Sequence, residues 1–184
     1  MADKNTVIEV IDMKRLESGE SDYKTEISIE QALNDYPFWS KDIETGIENN
    51  AEKIQININP DEAVYKKSAP EDKATGVVIT FENCMIDFVC NKYSAYNDKE
   101  LFESCLFDTD GKFLSPENTE FEYDEIRNLS LEDVSGLIEK YAHYDSDTNT
   151  FDGLTNEEYD SENKVDNSED DYTNDYVSDD DWTD

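Results

Sequence analysis

The sequence predicts an α+β fold, in which a small mixed sheet with several short helices over residues 1–144 precedes an acidic, largely irregular tail over residues 145–184. Three observations support this prediction. Short segments alternate apolar and polar residues as half-buried strands do, and serines stand at capping distance before helical patterns. Beyond Tyr144 both patterns disappear. The chain therefore divides into one acidic domain and one tail.

Strand composition recurs along the first half of the chain. Isoleucines at every second position of residues 53–59 alternate with polar residues, as one buried strand face requires. Residues 76–82 place Val77, Ile79 and Phe81 on one face in the same way. Including two further segments of similar composition, the predicted strands are residues 6–12, 53–59, 76–82 and 84–90.

Helix starts are indicated by residue pairs with capping-box or related spacing. These pairs are Ser28 with Gln31, Asn97 with Glu100, and Ser130 with Asp133. The last pair opens a run of apolar residues at helical period, and Ser40 before Ile43 and Ile47 predicts a shorter helix. Residues 108–111 have the composition of a tight turn, which would join the Asn97 helix to a strand at residues 112–114.

A row of carboxylates is predicted on a further strand. Glu120, Glu122 and Asp124 alternate with Phe121 and Tyr123, so the aromatic side chains would enter the core while the acids face outwards. Carboxylates two residues apart on a strand lie about 6.6 Å apart, which is comparable to the spacing of successive phosphates along a DNA strand. The alternative interpretation is an ordinary half-buried strand whose wet side is acidic.

Charge is the most unusual property of the chain. It contains 48 Asp and Glu against 15 Lys and Arg, a net charge of -33 on 184 residues. The tail carries -15 and residues 1–144 carry -18, so a solvating tail on a neutral domain does not explain the composition. Direct nucleic-acid binding is excluded by the sign of the charge.

Several other classes are also disfavoured. The longest nearly uninterrupted apolar stretch, residues 77–81, is far too short to cross a membrane, and no apolar run follows the N-terminus, so we expect a soluble protein without an export signal. Three cysteines at positions 84, 90 and 105 form no CxxC pair, which indicates a reducing compartment and structural thiols. With His143 the only histidine, no zinc site is expected.

Asp-rich segments near a glycine are candidates for oxygen-ligated calcium sites. An EF-hand register around Gly111 puts Leu106 at the first ligand position, and a second register starting at Asp145 puts Thr150 where the turn glycine belongs. Neither segment predicts a calcium site. No nucleophile, zinc-protease or phosphate-loop motif is present, so we expect no enzyme and no cofactor.

The tail contains single aromatic residues within acidic clusters, which are candidate partner contacts because Tyr and Trp give large contact areas at low entropic cost. Together with Glu120, Glu122 and Asp124, the predicted partner-binding residues are Tyr159, Asp160, Asp170, Asp171, Tyr172, Tyr176, Asp179, Asp180, Asp181 and Trp182. Low aliphatic content predicts that the isolated tail is mostly disordered.

In charge, size, aromatic richness and its near absence of Arg (Arg15 and Arg127), the chain resembles the small acidic DNA-mimic inhibitors of phages and mobile elements. The resemblance covers composition only, because that class shares no motif. It implies a cytoplasmic inhibitor that occupies the cationic DNA or RNA groove of a defence or DNA-handling enzyme. Two alternatives remain open, namely an acidic immunity or antitoxin-like protein that neutralises a cationic nuclease, and an interaction protein that works through its acidic tail.

Overall fold

The computed structural model describes residues 5–95 and 97–163. Over these residues the chain forms the α+β fold that the sequence predicts, with one eight-stranded mixed sheet, a separate two-stranded hairpin and five α-helices. The strands of the sheet are β1 (Val7–Asp12), β2 (Lys24–Ile27), β3 (Lys53–Ile58), β4 (Ala74–Thr80), β5 (Met85–Val89), β6 (Phe102–Phe107), β7 (Phe113–Leu114) and β8 (Ile126–Leu129).

The remaining elements are helices and the hairpin. The hairpin consists of β9 (Tyr144–Asp145) and β10 (Thr150–Phe151). The α-helices are α1 (Met13–Glu17), α2 (Ile29–Asp35), α3 (Ser40–Glu48), α4 (Leu131–Tyr141) and α5 (Asn156–Glu162), and short 3-10 turns lie at Pro37–Trp39 and Asn97–Lys99.

The strand order is β2-β1-β3-β4-β5-β6-β7, and β8 also pairs with β6. Strands β1 and β3 run parallel, and the connection between them contains α1, β2, α2 and α3. The other described pairs of this sheet are antiparallel. The mixed sheet of the prediction is thus present, with more strands than the sequence pattern indicated.

One face of the sheet forms the main core with helices α3 and α4. Ile54 and Ile56 of β3 are fully buried, as their alternation predicted. Helix α3 approaches the sheet so closely that a Cβ at Gly46 would lie 3.2 Å from Ile54 and 3.3 Å from Ile79. A glycine at this position therefore permits the close contact between helix and sheet.

Helix α4 begins with the capping box that the sequence predicts. The Ser130 hydroxyl accepts the backbone N–H of Asp133, and the Asp133 carboxylate accepts the backbone N–H of Ser130. At the other end of the helix, the Cys84 thiol donates to the backbone carbonyl of Tyr141 at 3.3 Å. The capping box thus stabilises the first turn of α4, and the thiol contact joins its last turn to the segment between β4 and β5.

The predicted Asn97 helix is wrong. The chain makes only the 3-10 turn Asn97–Lys99, and Glu100 then adopts a left-handed conformation with φ of 56°. The residues that follow form β6, in which Phe102, Ser104 and Leu106 are buried on the core face. Residues 102–107 form a strand because they pair with β5 inside the sheet. This pairing stabilises the strand more than the local capping spacing stabilises a helix. The predicted turn is confirmed, and it joins β6 to β7 instead.

The predicted strand at residues 120–124 is also wrong, because this segment forms a series of turns before β8. Asp124 has a φ of 77°, which is incompatible with a strand. Phe121 is fully buried against the Tyr141 ring, whereas Tyr123 is 86% exposed, so the two aromatic side chains do not share one face. One buried aromatic residue among exposed residues in a turn gives the same sequence pattern of alternating apolar and polar residues as a half-buried strand.

Regular structure continues past Tyr144, the residue at which the sequence-based prediction ends the acidic domain. The hairpin β9–β10 and helix α5 follow, and the Phe151 ring is completely buried, 5.4 Å from the ring of Tyr141 and 5.2 Å from that of Tyr159. Residues 145–163 therefore belong to the folded part of the chain. The rest of the predicted tail lies outside the described residues.

Phe151→Ala should lower the free energy of unfolding by about 3 to 5 kcal/mol, because it removes a fully buried ring from the core. Tyr123→Ala is the matched control and should change stability by less than about 0.5 kcal/mol, since that ring is exposed. Urea unfolding followed by circular dichroism measures both. Equal effects of the two substitutions would contradict the placement of the hairpin in the core.

A carboxyl group is buried on α3 without a partner. Asp42 has no exposed surface, and neither carboxyl oxygen makes a hydrogen bond. Burial raises the pKa of Asp42 to about 8, and the neighbouring Lys41 opposes the shift only weakly. The folded protein therefore holds this side chain in its neutral form at pH 7.

The buried acid predicts a specific pH dependence. Between pH 3.8 and about 8 the folded state keeps a proton that the unfolded state releases, so the free energy of unfolding falls as pH rises through this window. Relative to Asp42→Asn, the wild type should lose up to about 1.4 kcal/mol per pH unit. Unfolding curves at several pH values test this, with exposed Glu44→Gln on the same helix as control. Parallel pH profiles for wild type and Asp42→Asn would contradict the assignment.

Candidate partner-binding site

Acidic residues are concentrated in one part of the folded chain. Residues 115–163, here named the acidic region, contain fifteen Asp and Glu against Arg127 and Lys140, a net charge of -13. Residues 1–114 contain 24 acids and 12 bases. The acidic region is therefore the part of the described structure in which negative charge is least compensated.

The two bases of the acidic region both pair within it. The Lys140 side chain is 10% exposed, and its ammonium lies 2.8 Å from carboxylate oxygens of both Glu120 and Asp160. Arg127 pairs with Glu125 and lies 3.9 Å from Glu103 of β6. Neither cation is left to neutralise the remaining acids of the region.

The Lys140 contacts also hold three segments together. Glu120 lies in the loop before β8, Lys140 on α4 and Asp160 on α5. The Tyr141 hydroxyl donates to the second oxygen of Glu120 at 2.7 Å. Burial and then the Glu120 carboxylate raise the pKa of Tyr141, so its hydroxyl remains a donor at neutral pH.

Two carboxylates of the acidic region are fixed in position by capping boxes. Asp133 is bound by the backbone and hydroxyl of Ser130, and Glu158 is bound in the same way by Thr155. These hydrogen bonds lower the pKa of both acids. Both side chains therefore stay ionised at neutral pH and project from the first turns of α4 and α5.

Several other acids of the region are exposed and pair with no Lys or Arg among the described residues. Glu132 and Glu139 lie two turns apart on α4, about 10 Å along its axis, and Glu157 lies in the first turn of α5. Glu122 is exposed in the loop before β8. Together with the capping carboxylates they form a negatively charged surface on two helices and a loop.

A groove of about 360 Å³ lies between α4 and β8 on this surface. Its apolar floor is formed by Ile126, Leu129 and Leu137. The remaining residues that line it are mainly polar, namely Glu120, Glu132, Asp133, Gly136 and Lys140. The groove thus combines an apolar floor with carboxylates on its rim.

Gly136 has no structural role that requires a glycine. It lies in the middle of α4, is exposed, and a Cβ built on it would meet no atom within 4 Å. A glycine inside a helix costs about 1 kcal/mol relative to alanine. Gly136 lines the groove and leaves open space where a side chain would begin.

The structure separates the predicted partner-binding residues. Glu120 and Asp160 are engaged by Lys140, and Tyr159 packs on the Phe151 ring, so these three residues hold the acidic region together. Glu122 and Asp124 are exposed, although Asp124 accepts from Ser115. Eight predicted residues lie outside the described residues, namely Asp170, Asp171, Tyr172, Tyr176, Asp179, Asp180, Asp181 and Trp182.

The sequence-based prediction includes Asp160 but misses the other carboxylates on α4 and α5. It assigns Asp133 only a capping role, and it does not recognise the capping spacing of Thr155 and Glu158 because it assigns their segment to an irregular tail. That spacing was the signal that could have located α5. The groove carries no sequence signal, since α4 and β8 meet only in the folded chain.

Residues 5–95 and 97–163 contain no group of three or more His, Cys, Asp or Glu arranged to hold a metal ion. The three cysteines are free, and burial raises the pKa of Cys84 to about 12. No helix in the same part of the chain has the length and apolarity needed to cross a bilayer.

Comparisons with known proteins yield no relative. The sequence matches no protein-family model and no curated protein, and the structure matches no solved structure. The geometry of the acidic region is therefore the basis for assigning a function.

Glu120→Gln should destabilise the protein by about 1 to 3 kcal/mol, because it weakens the contacts that Glu120 makes with the Lys140 ammonium and the Tyr141 hydroxyl. Glu122→Gln makes the same chemical change two residues away on an exposed side chain, and should alter stability by less than about 0.5 kcal/mol. Chemical denaturation compares the two. A loss of stability in Glu122→Gln alone would contradict the network described above.

Proposed function

We propose that this protein is an inhibitor that imitates nucleic acid and blocks the cationic DNA- or RNA-binding groove of a host defence or DNA-handling enzyme. The observation that carries the proposal is the acidic region, a folded surface with a net charge of -13 whose two bases both pair internally. A cationic groove is the complementary partner for such a surface.

Fixed carboxylates support imitation of a polyanion. The charges of a phosphate backbone lie at fixed positions. The capping boxes likewise hold the carboxylates of Asp133 and Glu158 at fixed positions on the surface. Because these side chains are ordered before binding, less conformational entropy is lost when a partner docks. The surrounding acids on α4 and α5 add to the negative potential that accelerates association with a cationic protein.

The proposal includes a location and a type of activity. A groove-blocking inhibitor acts by occupancy and needs no catalytic residue or cofactor. We place it in the cytoplasm, where enzymes that handle nucleic acids work, and three free cysteines are compatible with a reducing compartment. The acids beyond residue 163 would extend the negative field of the acidic region.

The experiment begins by capturing the partner from a bacterial lysate with the immobilised full-length chain and identifying it. The dissociation constant is then measured from about 50 to about 500 mM salt, with and without competing duplex DNA. Binding should weaken steeply with salt, and DNA should displace the protein. A ternary complex with DNA would instead favour the immunity-type function, in which the inhibitor binds away from the nucleic-acid groove.

Two variants of equal charge locate the binding surface. The first variant removes three exposed acids of the acidic region by the substitutions Glu132→Gln, Glu139→Gln and Glu157→Gln. The matched control removes three exposed acids from α2 and α3 by the substitutions Glu30→Gln, Glu44→Gln and Glu48→Gln. The first variant should lose about tenfold in affinity or more, since each exposed pair is worth up to about 1 kcal/mol. Equal losses would show that only net charge matters.

A further inference from the structure

We propose that the groove between α4 and β8 binds a cationic segment of the partner protein in which one aliphatic or aromatic side chain stands between Arg or Lys residues. The inference rests on the proposed function and adds to it a specific apolar anchor. The apolar side chain would lie on Ile126, Leu129 and Leu137, and its flanking cations would meet carboxylates on the rim.

The shape of the groove favours an inserted side chain. Its volume of about 360 Å³ is ample for one large side chain, and its floor is apolar although most of the surrounding surface is acidic. Gly136 stands at its edge with open space where a Cβ would be, and neither packing nor backbone geometry requires a glycine there. The helix therefore carries a residue that disfavours helix formation at a position that lines the groove.

Charge selects the kind of partner. Glu132 is exposed at the rim without a cationic partner among the described contacts, and Asp133 is ionised and held in place by the capping box. Lys140 also lines the groove, but its ammonium is already paired with Glu120 and Asp160. Arg or Lys residues on either side of the inserted group would complete ion pairs that the chain itself leaves open.

The same charge disfavours two other occupants. One is a second copy of this chain, which would bring a further net charge of -33 to the groove. The other is the C-terminal segment of the same chain, residues 164–184, which carries nine acids and one base. Either occupant would increase the electrostatic repulsion at the groove. A basic segment of a different protein is the occupant that both the apolar floor and the acidic rim accommodate.

The test uses the full-length chain and two synthetic peptides of equal positive charge. In one peptide a single Leu is flanked by Arg and Lys, and in the other that Leu is replaced by Ser. Fluorescence anisotropy should show about tenfold tighter binding of the Leu peptide, the expected effect of burying one such side chain. Methyl NMR signals of Ile126, Leu129 and Leu137 should shift with the Leu peptide.

Gly136→Trp should fill the groove and reduce binding of the Leu peptide to the level of the Ser peptide. Gln31→Trp adds the same bulk at an exposed, neutral position on α2 and should leave binding unchanged. Circular dichroism and thermal melting establish that both variants are folded. Gly136→Leu, a residue that favours the helix, should also reduce binding of the Leu peptide and provides a second variant if Gly136→Trp fails to fold.

The outcomes distinguish this inference from the proposed function. Equal, salt-sensitive binding of both peptides would overturn the groove proposal while leaving the electrostatic function intact. Undiminished binding of the Leu peptide to folded Gly136→Trp would also overturn it. Methyl shifts that follow protein concentration without peptide would assign the groove to a second copy, and shifts caused by Trp182→Ala in the full chain would assign it to the C-terminal residues.

Discussion

Like-charge repulsion is the constraint under which the whole chain folds, since 48 acids oppose 15 bases. The apolar face of the sheet supplies the main compensation, and the few cations are used where several groups can share them. Lys140 serves Glu120 and Asp160 together, and buried Lys66 donates to the backbone carbonyls of Asp72 and Ala74. Asp42 adds no negative charge to this repulsion at neutral pH, because it remains protonated inside the core.

The placement of these cations explains why one surface remains strongly negative. In the acidic region both bases stabilise the connections between segments, and aromatic contacts among Phe121, Tyr141, Phe151 and Tyr159 provide packing that needs no charge. The remaining carboxylates can therefore face solvent without breaking the fold. Capping boxes hold two of them in position, so a structural device and the proposed binding function use the same side chains.

The groove between α4 and β8 changes the type of interface that this surface supports. The long-range field of a negatively charged surface accelerates association with any cationic protein. An apolar pocket within the charged surface can select one partner, because burying a side chain there depends on shape as well as on sign. The proposed inhibitor would then combine long-range attraction with a short-range anchor.

The sequence by itself determined the charge, the α+β class, the buried alternation of Ile54 and Ile56, and the cap of α4 at Ser130, because each depends on composition or on residues close in the chain. Tertiary structure decided the rest. Residues 102–107 form a strand because they pair with β5. Glu120 forms an ion pair with Lys140 because the contact of Phe121 with Tyr141 holds the loop of Glu120 against α4. Phe151 anchors residues 145–163 to the core in the same way. Such contacts join residues that are not chain neighbours, as Lys140 does with Glu120 and Asp160, each 20 residues away, and no local pattern encodes which partner a side chain will meet.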